Sequence, residues 1–509
     1  MLYLFYILLF REDNTLRDKK HIKKSVPYII FGVLFLIGIA VFAICIWYMN
    51  TYDLEFKELL YTLVSPLKGT GESTVALILS SSLPWVVAAA AVYITAAVIV
   101  SKRGSKLFRR IGAAVCAAVF VASLIFAVYA LRLPGYIEAI SQKTTLYEEY
   151  YIDPDTVEIT ANGKPRNLIH IYLESMETTY ASEAVGGAQP ENNYLPNLTR
   201  MASEGISFTD KEDGSLGGFH TPNGTTWTMA ALLATTSGIP FSFPIGGDGQ
   251  NYMSKHEYFA KGLTTLGDIL SDNGYTNTFL CGSNATFGGR RNYFTQHGDY
   301  RIFDLYTARE EGYVAKDYHD GWWGYEDMYL YEIAKDKLTE LAAQDKPFNF
   351  TMLTVDTHHV DGNRCKLCEV EYSTRLENVV SCADRQVSEF VDWCMEQDFY
   401  SDSVIIISGD HPRMDTRLVS EVDYYDRTIY NCFFNAALTP RGKTSGRIFT
   451  SMDMFPTILA AMGFSVDGER LGLGVNMFSG EPTLAEELGY DYLNGEIAKH
   501  SAYYIREFS

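Results

Sequence analysis

The chain holds 509 residues, with 42 Lys+Arg against 62 Asp+Glu and a formal net charge of −20. That balance excludes a nucleic-acid binder, which needs a basic face to neutralise phosphates. A hydrophobic content of 47% excludes a disordered chain. The average conceals a division: residues 1–132 carry 14 Lys+Arg and 7 Asp+Glu, net +7, and the rest of the chain carries −27. A basic, apolar front end precedes a strongly acidic domain.

Three apolar runs, at about 26–49, 75–100 and 111–131, each reach the roughly 20 residues a helix needs to cross about 30 Å of hydrocarbon. Residues 1–132 are therefore predicted to be a membrane anchor with three transmembrane helices, the second interrupted by Pro84. Met1–Phe10 is apolar but too short to span, and reads as an interfacial stretch or part of a further helix. Lys and Arg concentrate at 11–24 and 102–110, whereas the loop 50–74 holds only Lys57 and Lys68. By the positive-inside rule both basic segments are cytoplasmic and everything after Leu131 lies outside. The expectation is a multi-pass cell-membrane protein with an extracytoplasmic domain.

Residues 133–164 read as a linker or juxtamembrane segment, and 165–509 as the outer domain. There, apolar runs at 167–173, 276–280, 348–355 and 403–407 are predicted strands. Helical patterns at 263–273, 326–344 and 371–397 fall between them. This alternation predicts an α/β fold with a mainly parallel sheet. Active sites of such sheets form beyond the carboxyl ends of the strands. Glu174–Ser175, Asp356-Thr-His-His359 and Gly409-Asp410-His411 occupy those positions. A carboxylate and an Asp-His pair offer mixed oxygen and nitrogen donors for a divalent cation.

A hydrolase or transferase also needs a nucleophile. The segment 223–240 carries Thr225, Thr226 and Thr228 into an apolar run from Met229. A threonine there sits near helix N–H groups that favour an anionic substrate such as phosphate, although an ordinary helix cap has the same appearance.

The ordered segments NLIHIYLES (167–175), TTWTMAALLATTSGIP (225–240), TVDTHH (354–359) and SGDHPRMD (408–415), with Asp453–Thr457 and Arg470–Gly474 near the end, closely resemble the lipoteichoic acid synthase / phosphoglycerol transferase I family, in the alkaline phosphatase and sulfatase superfamily. The resemblance implies a sulfatase-like domain in which Glu174, Thr228, Asp410 and His411 bind one divalent metal, Mn²⁺ ahead of Mg²⁺ or Zn²⁺. It makes Thr228 the catalytic nucleophile. His358 and Arg290 become substrate-binding residues, with His359 and Asp356 as supporting groups and Trp227 as a wall of the site. The reaction implied is transfer of glycerol phosphate from phosphatidylglycerol, through a phosphothreonine, to a cell-envelope glycan, glycolipid or glycerophosphate polymer. The tryptophan that lipoteichoic acid synthases carry two places before the basic residue is Gly288 here, which brings the chain nearer the phosphoglycerol transferase branch.

Two alternatives stay within the superfamily: a phosphoethanolamine transferase, and a metal-dependent phosphodiesterase or sulfatase-like hydrolase. A true sulfatase would need a Cys or Ser that matures to formylglycine, and Thr228 cannot supply that aldehyde. Of the eight cysteines, Cys365-x-x-Cys368 has the spacing of half a zinc knuckle but lacks a second pair at proper spacing. An oxidising exterior favours instead a bridge from Cys365 or Cys368 to Cys382.

Overall fold

The computed structural model describes residues 19–52, 56–57, 59–60, 72–103, 105–242, 258–318, 323–358 and 360–508. Met1–Phe10 and His359, both singled out above, lie outside the described residues.

The chain forms two compact units. The first is built on α1 (Lys19–Thr51), α2 (Glu72–Arg103) and α3 (Lys106–Ala130). Each contains a stretch long and apolar enough to cross a membrane, at Ile29–Thr51, Ala76–Val100 and Lys106–Ala130. Helix α2 runs through Pro84 without a break. Helices α1 and α3 meet through Phe42 and Phe126, whose ring centroids lie 4.8 Å apart. The protein is thus a membrane protein by its apolar helices.

The second unit is an α/β domain around a six-stranded sheet. Its strands are β1 (Asn167–Leu173), β2 (Thr276–Cys281), β3 (Arg301–Phe303), β4 (Phe348–Leu353), β5 (Ser403–Gly409) and β6 (Asn431–Phe434). Their spatial order is β3-β2-β4-β1-β5-β6, with five strands parallel and β6 antiparallel at one edge. Helices α4 (Thr228–Ser237), α5 (Leu266–Asp272), α6 (Asp327–Ala342), α7 (Arg375–Met395) and α8 (Met454–Met462) accompany it. Both faces are covered, as parallel sheets require. Ile169, Ile171 and Leu173 of β1 pack with Leu330 of α6 and Val380 of α7. The alternate residue Tyr172 packs with Leu232 of α4, and Leu168 packs with Leu270 of α5 and Ile458 of α8.

The four predicted strands are present, and β1 has the predicted bounds. Strands β3 and β6 were not anticipated. Residues 301–303 are too few to show a period, and β6 runs against its neighbour, outside the β–helix–β alternation. Segment 133–164 contains short helices at Leu133–Ser141 and Leu146–Tyr150, then a strand, Ile159–Ala161, paired antiparallel with Phe464–Val466.

Register brings the functional strand ends level. Leu173 pairs with Gly409, and Tyr172 with Leu353, so the residues that follow β1, β5 and β4 emerge side by side. Gly409 has a steric duty there. A Cβ at that position would lie 2.1 Å from the Met176 carbonyl oxygen and 2.7 Å from Ile429 Cγ2. Replacing it by alanine forces apart the two strand ends that present Glu174 and Asp410. We expect Gly409→Ala to cost about 1–3 kcal/mol and to lower the thermal midpoint by several degrees, measured by calorimetry. An unchanged midpoint would show that the close approach is not required.

Candidate active site

Glu174 follows β1, Asp410 and His411 follow β5, and Thr228 opens α4. These four side chains meet. Thr228 Oγ1 lies 3.4 Å from Glu174 Oε2 and 3.3 Å from His411 Nε2. His411 Nε2 is 3.5 Å from Glu174 Oε1 and 3.4 Å from Asp410 Oδ2. One ligand atom from each of Glu174, Asp410 and His411 lies within 4.8 Å of the others, and all three residues are buried.

The local backbone explains how they are held. Ser175 adopts φ 52°, a left-handed conformation uncommon for a residue with a side chain. This turn lets its N–H donate to Asp410 Oδ1 at 2.8 Å while its hydroxyl donates to Glu174 Oε1 at 2.7 Å. Asp410 Oδ1 also accepts from the His411 N–H at 2.8 Å. Asp410 Oδ2 is buried without a hydrogen-bond partner among the described residues. His411 Nδ1 lies 2.8 Å from the Pro412 carbonyl, so the ring proton belongs on Nδ1 and Nε2 presents its lone pair to the carboxylates.

Burial and the charge of Glu174 push Asp410 up to about 7. Burial also acts to raise Glu174, but positive charge on His358 and His411, helped by the Ser175 hydroxyl and Arg290, outweighs it and holds that carboxyl low; the His411 share of this effect is present only while its ring is protonated. Two crowded carboxylates, a neutral imidazole nitrogen and a hydroxyl form an electron-rich, buried pocket. The bare Asp410 Oδ2 and the fixed His411 tautomer fit the donor set of a divalent cation.

Helix α4 begins at Thr228, which is half-buried, after an extended Trp227, and is buried from Met229 to Ser237. It ends at Gly238, φ 69°, where a Cβ would lie 2.7 Å from the Leu471 carbonyl. Of the rival threonines, Thr225 donates to the Pro222 carbonyl at 2.8 Å. The Trp227 ring joins the hydrophobic cluster, edge-on to Phe241 at 5.6 Å. Arg290 is buried and donates to the Phe287 carbonyl at 3.1 Å and to Ser283 Oγ and the Asn284 carbonyl at 3.0 Å each. Gly288 and Gly289 turn the chain into Arg290 at φ 66° and 82°, a conformation that disfavours the tryptophan carried there by the resembling synthases. The His358 ring packs on Trp323, centroids 4.3 Å apart. Both Arg290 and His358 bias the ionisation of Glu174.

Apart from Asp356, the supporting layer went unnoticed in the sequence. Glu177 pairs with Arg427 through both oxygens, at 3.0 and 2.8 Å, and accepts from the Arg413 N–H at 3.0 Å. Arg427 also donates to the Arg413 carbonyl at 2.7 Å. Arg413 in turn donates to Asp415 Oδ1 and the Thr357 carbonyl, both at 2.8 Å. Asp327 accepts from the Val355 and Asp356 N–H groups at 2.8 and 3.0 Å, and its own N–H donates to Asp356 Oδ2 at 3.1 Å. Thus the loops after β1, β4 and β5 are tied together by buried ions. Arg413 stood inside SGDHPRMD, so proximity to the Asp-His pair was its only signal.

Residues 166–464 match the sulfatase family model. The chain is 32% identical over 349 residues to phosphoglycerol transferase I of Salmonella choleraesuis, covering 65% of this chain and 41% of that protein. The corresponding protein of Shigella flexneri is 31% identical over 347 residues, at 66% and 41% coverage. The chain therefore spans about two fifths of these curated relatives. Among solved structures, it is similar to an alkaline phosphatase superfamily protein of Vibrio parahaemolyticus (24% identity, 62% and 71% coverage, TM-score 0.48). It is also similar to a lipoteichoic acid synthase of Listeria monocytogenes (16% identity, 63% and 79% coverage, TM-score 0.47).

Two measurements test this arrangement. The full chain in detergent should bind Mn²⁺ less tightly as pH falls below about 7, because protonation of Asp410 removes a donor, and Asp410→Asn should weaken binding at least tenfold in equilibrium dialysis. Equal affinity in wild type and variant would remove Asp410 from the site. For Glu177, burial opposes the charge but Arg427 overrides it and holds the carboxyl below the ordinary range. Its folded-state value is depressed, so its stabilisation is full above the unfolded-state value and is lost as pH falls through the folded-state value. Glu177→Gln should cost about 3–5 kcal/mol at neutral pH and flatten the acid limb of the stability profile. Identical acid limbs in urea titrations would contradict this.

Proposed function

The chain belongs to the sulfatase family, and from that premise we propose that it is a membrane-anchored phosphotransferase that moves glycerol phosphate from phosphatidylglycerol to a cell-envelope acceptor. The observation that carries this reading is the convergence of Thr228 Oγ1 on Glu174 and His411 at the start of a buried helix. The similarity to phosphoglycerol transferase I supports the choice of group transferred.

Glu174, Asp410, His411 and Thr228 would hold one divalent cation, Mn²⁺ foremost, which when bound supplies Lewis-acid stabilisation of developing oxyanion charge. Thr228 Oγ1 passes its proton to solvent water and attacks phosphorus, and the bond from phosphorus to the diacylglycerol oxygen breaks. His358 protonates that leaving oxygen. The threonine now carries a glycerophosphoryl group, whose anionic oxygens face the first N–H groups of α4. Arg290, held by its three bonds, contributes positive charge to the same region. The diacylglycerol leaves and an acceptor hydroxyl enters. Its oxygen attacks phosphorus, its proton passes to His358, the bond from phosphorus to Thr228 Oγ1 breaks, and Oγ1 takes a proton back from solvent water to recover its hydroxyl. The acceptor is a glycan, a glycolipid or a glycerophosphate polymer.

Covalent storage suits two substrates that arrive at different times. The three apolar helices keep the domain near its lipid donor, which raises the donor's effective concentration. We place residues 1–132 as anchor and 165–509 as the extracytoplasmic catalytic domain, joined through 133–164. His359 is a further candidate for substrate contact, and Trp227 supports the site from the core.

The direct test is release of diacylglycerol from fluorescent phosphatidylglycerol in Mn²⁺-containing micelles. Wild type should release it, and Thr228→Ala should lower the rate at least a thousandfold. Equal release by the variant would reject Thr228 as nucleophile. Selective use of phosphatidylethanolamine would reject the donor.

A further inference from the structure

A second cluster of potential metal ligands lies apart from the four residues described above. Cys365 and Cys368, in the loop after β4, meet Cys382 of α7. Cys365 Sγ lies 3.6 Å from Cys368 Sγ and 3.9 Å from Cys382 Sγ. All three thiols are unbridged, buried and within 4.8 Å of one another. They form a small hydrophobic cluster of their own with Val379 and Met328.

The expected disulfide explains only part of this arrangement. It would join two sulfurs and strand the third in an apolar wall. The spacing fits a different chemistry. Tetrahedral zinc with bonds of about 2.3 Å sets its sulfur ligands about 3.8 Å apart, between the two observed separations. Cys-x-x-Cys is a chelating spacing for zinc, and α7 provides the third thiol in place of a second pair.

The surroundings supply donors to sulfur. Gln386 Nε2 lies 3.3 Å from Cys382 Sγ and 3.9 Å from Cys365 Sγ, and Arg385 Nη2 lies 3.9 Å from Cys382 Sγ. N–H groups aimed at sulfur favour thiolates over thiols, and a guanidinium offsets the net negative charge of a three-thiolate zinc centre. Gln386 is 4% exposed, and its Oε1 has no partner among the described residues.

We propose that Cys365, Cys368 and Cys382 form a structural site for a thiophilic divalent cation, of which zinc is the fitting ion. Its place in the fold gives it a purpose. The loop that carries Cys365 begins at the His358 turn, with the Gly362 N–H on the His358 carbonyl at 3.1 Å and the Asn363 N–H on the Asp356 carbonyl at 2.6 Å. The cation clips that loop onto α7 and thereby steadies the turn that presents His358.

Cobalt substitution tests the proposal, because Glu174, Asp410, His411 and Thr228 contain no sulfur. The full chain, purified reduced and metal-free in detergent, should take up Co²⁺ with an intense near-ultraviolet thiolate-to-cobalt band that equimolar Zn²⁺ abolishes. Asp410→Asn should retain the band in full. Cys365→Ser/Cys382→Ser should lose it, and Cys368→His, which keeps a ligand, should retain a weaker one should the double variant not fold. Absence of the band in the reduced wild type would overturn the proposal. So would a disulfide between any two of the three cysteines, found by non-reducing peptide mass spectrometry of protein from the membrane.

Discussion

Two carboxylates buried next to each other set the terms for the rest of the outer domain. Unit charges about 4 Å apart at an effective dielectric of 20 interact by about 4 kcal/mol, and buried ligand oxygens of Glu174 and Asp410 lie within 4.8 Å of one another. The lone pair of His411 Nε2 adds to the negative potential. The fold accommodates this through the Ser175 and His411 N–H groups on Asp410, the Ser175 hydroxyl on Glu174, and a strained Ser175 backbone that makes both bonds possible. These interactions reduce the repulsion without cancelling it. The remaining deficit is the physical reason that the pocket suits a cation, and a cation beside Thr228 is what a hydroxyl nucleophile needs.

Holding such charges at three strand ends demands a frame stiffer than the loops themselves. The sheet supplies the coarse alignment through its register, and buried ions supply the rest. Glu177 and Arg427 join the turn after β1 to the segment before β6, while Arg413 links the loops after β5 and β4. Breaking one member leaves its partner charged and buried, which is far costlier than the loss of a surface pair. Buried ion pairs therefore hold the loops that carry the site.

Much of this was legible in the sequence, and the reasons differ by element. Strands β1, β2, β4 and β5 are buried on both faces, so their apolar runs were visible without any alternation. Glu174, Asp410 and His411 stood at strand ends, where a parallel sheet gathers its functional groups. Strand β3 is three residues long and β6 is antiparallel, so neither length nor alternation announced them. Glu177, Asp327, Arg413 and Arg427 were not singled out, because a sequence does not reveal which ions are paired and buried. The predicted oxidising exterior, and not their spacing, pointed the three cysteines to a disulfide. Their mutual distances, and the donors around them, favour a metal instead.

The central claim is that Thr228 carries the transferred group. Its most direct measurement is peptide mass spectrometry of the full chain, acid-quenched after brief exposure to phosphatidylglycerol and Mn²⁺ without acceptor. The account predicts a glycerophosphoryl group on Thr228. A group on Thr225 or Thr226, or turnover with no adduct on any residue, would contradict it.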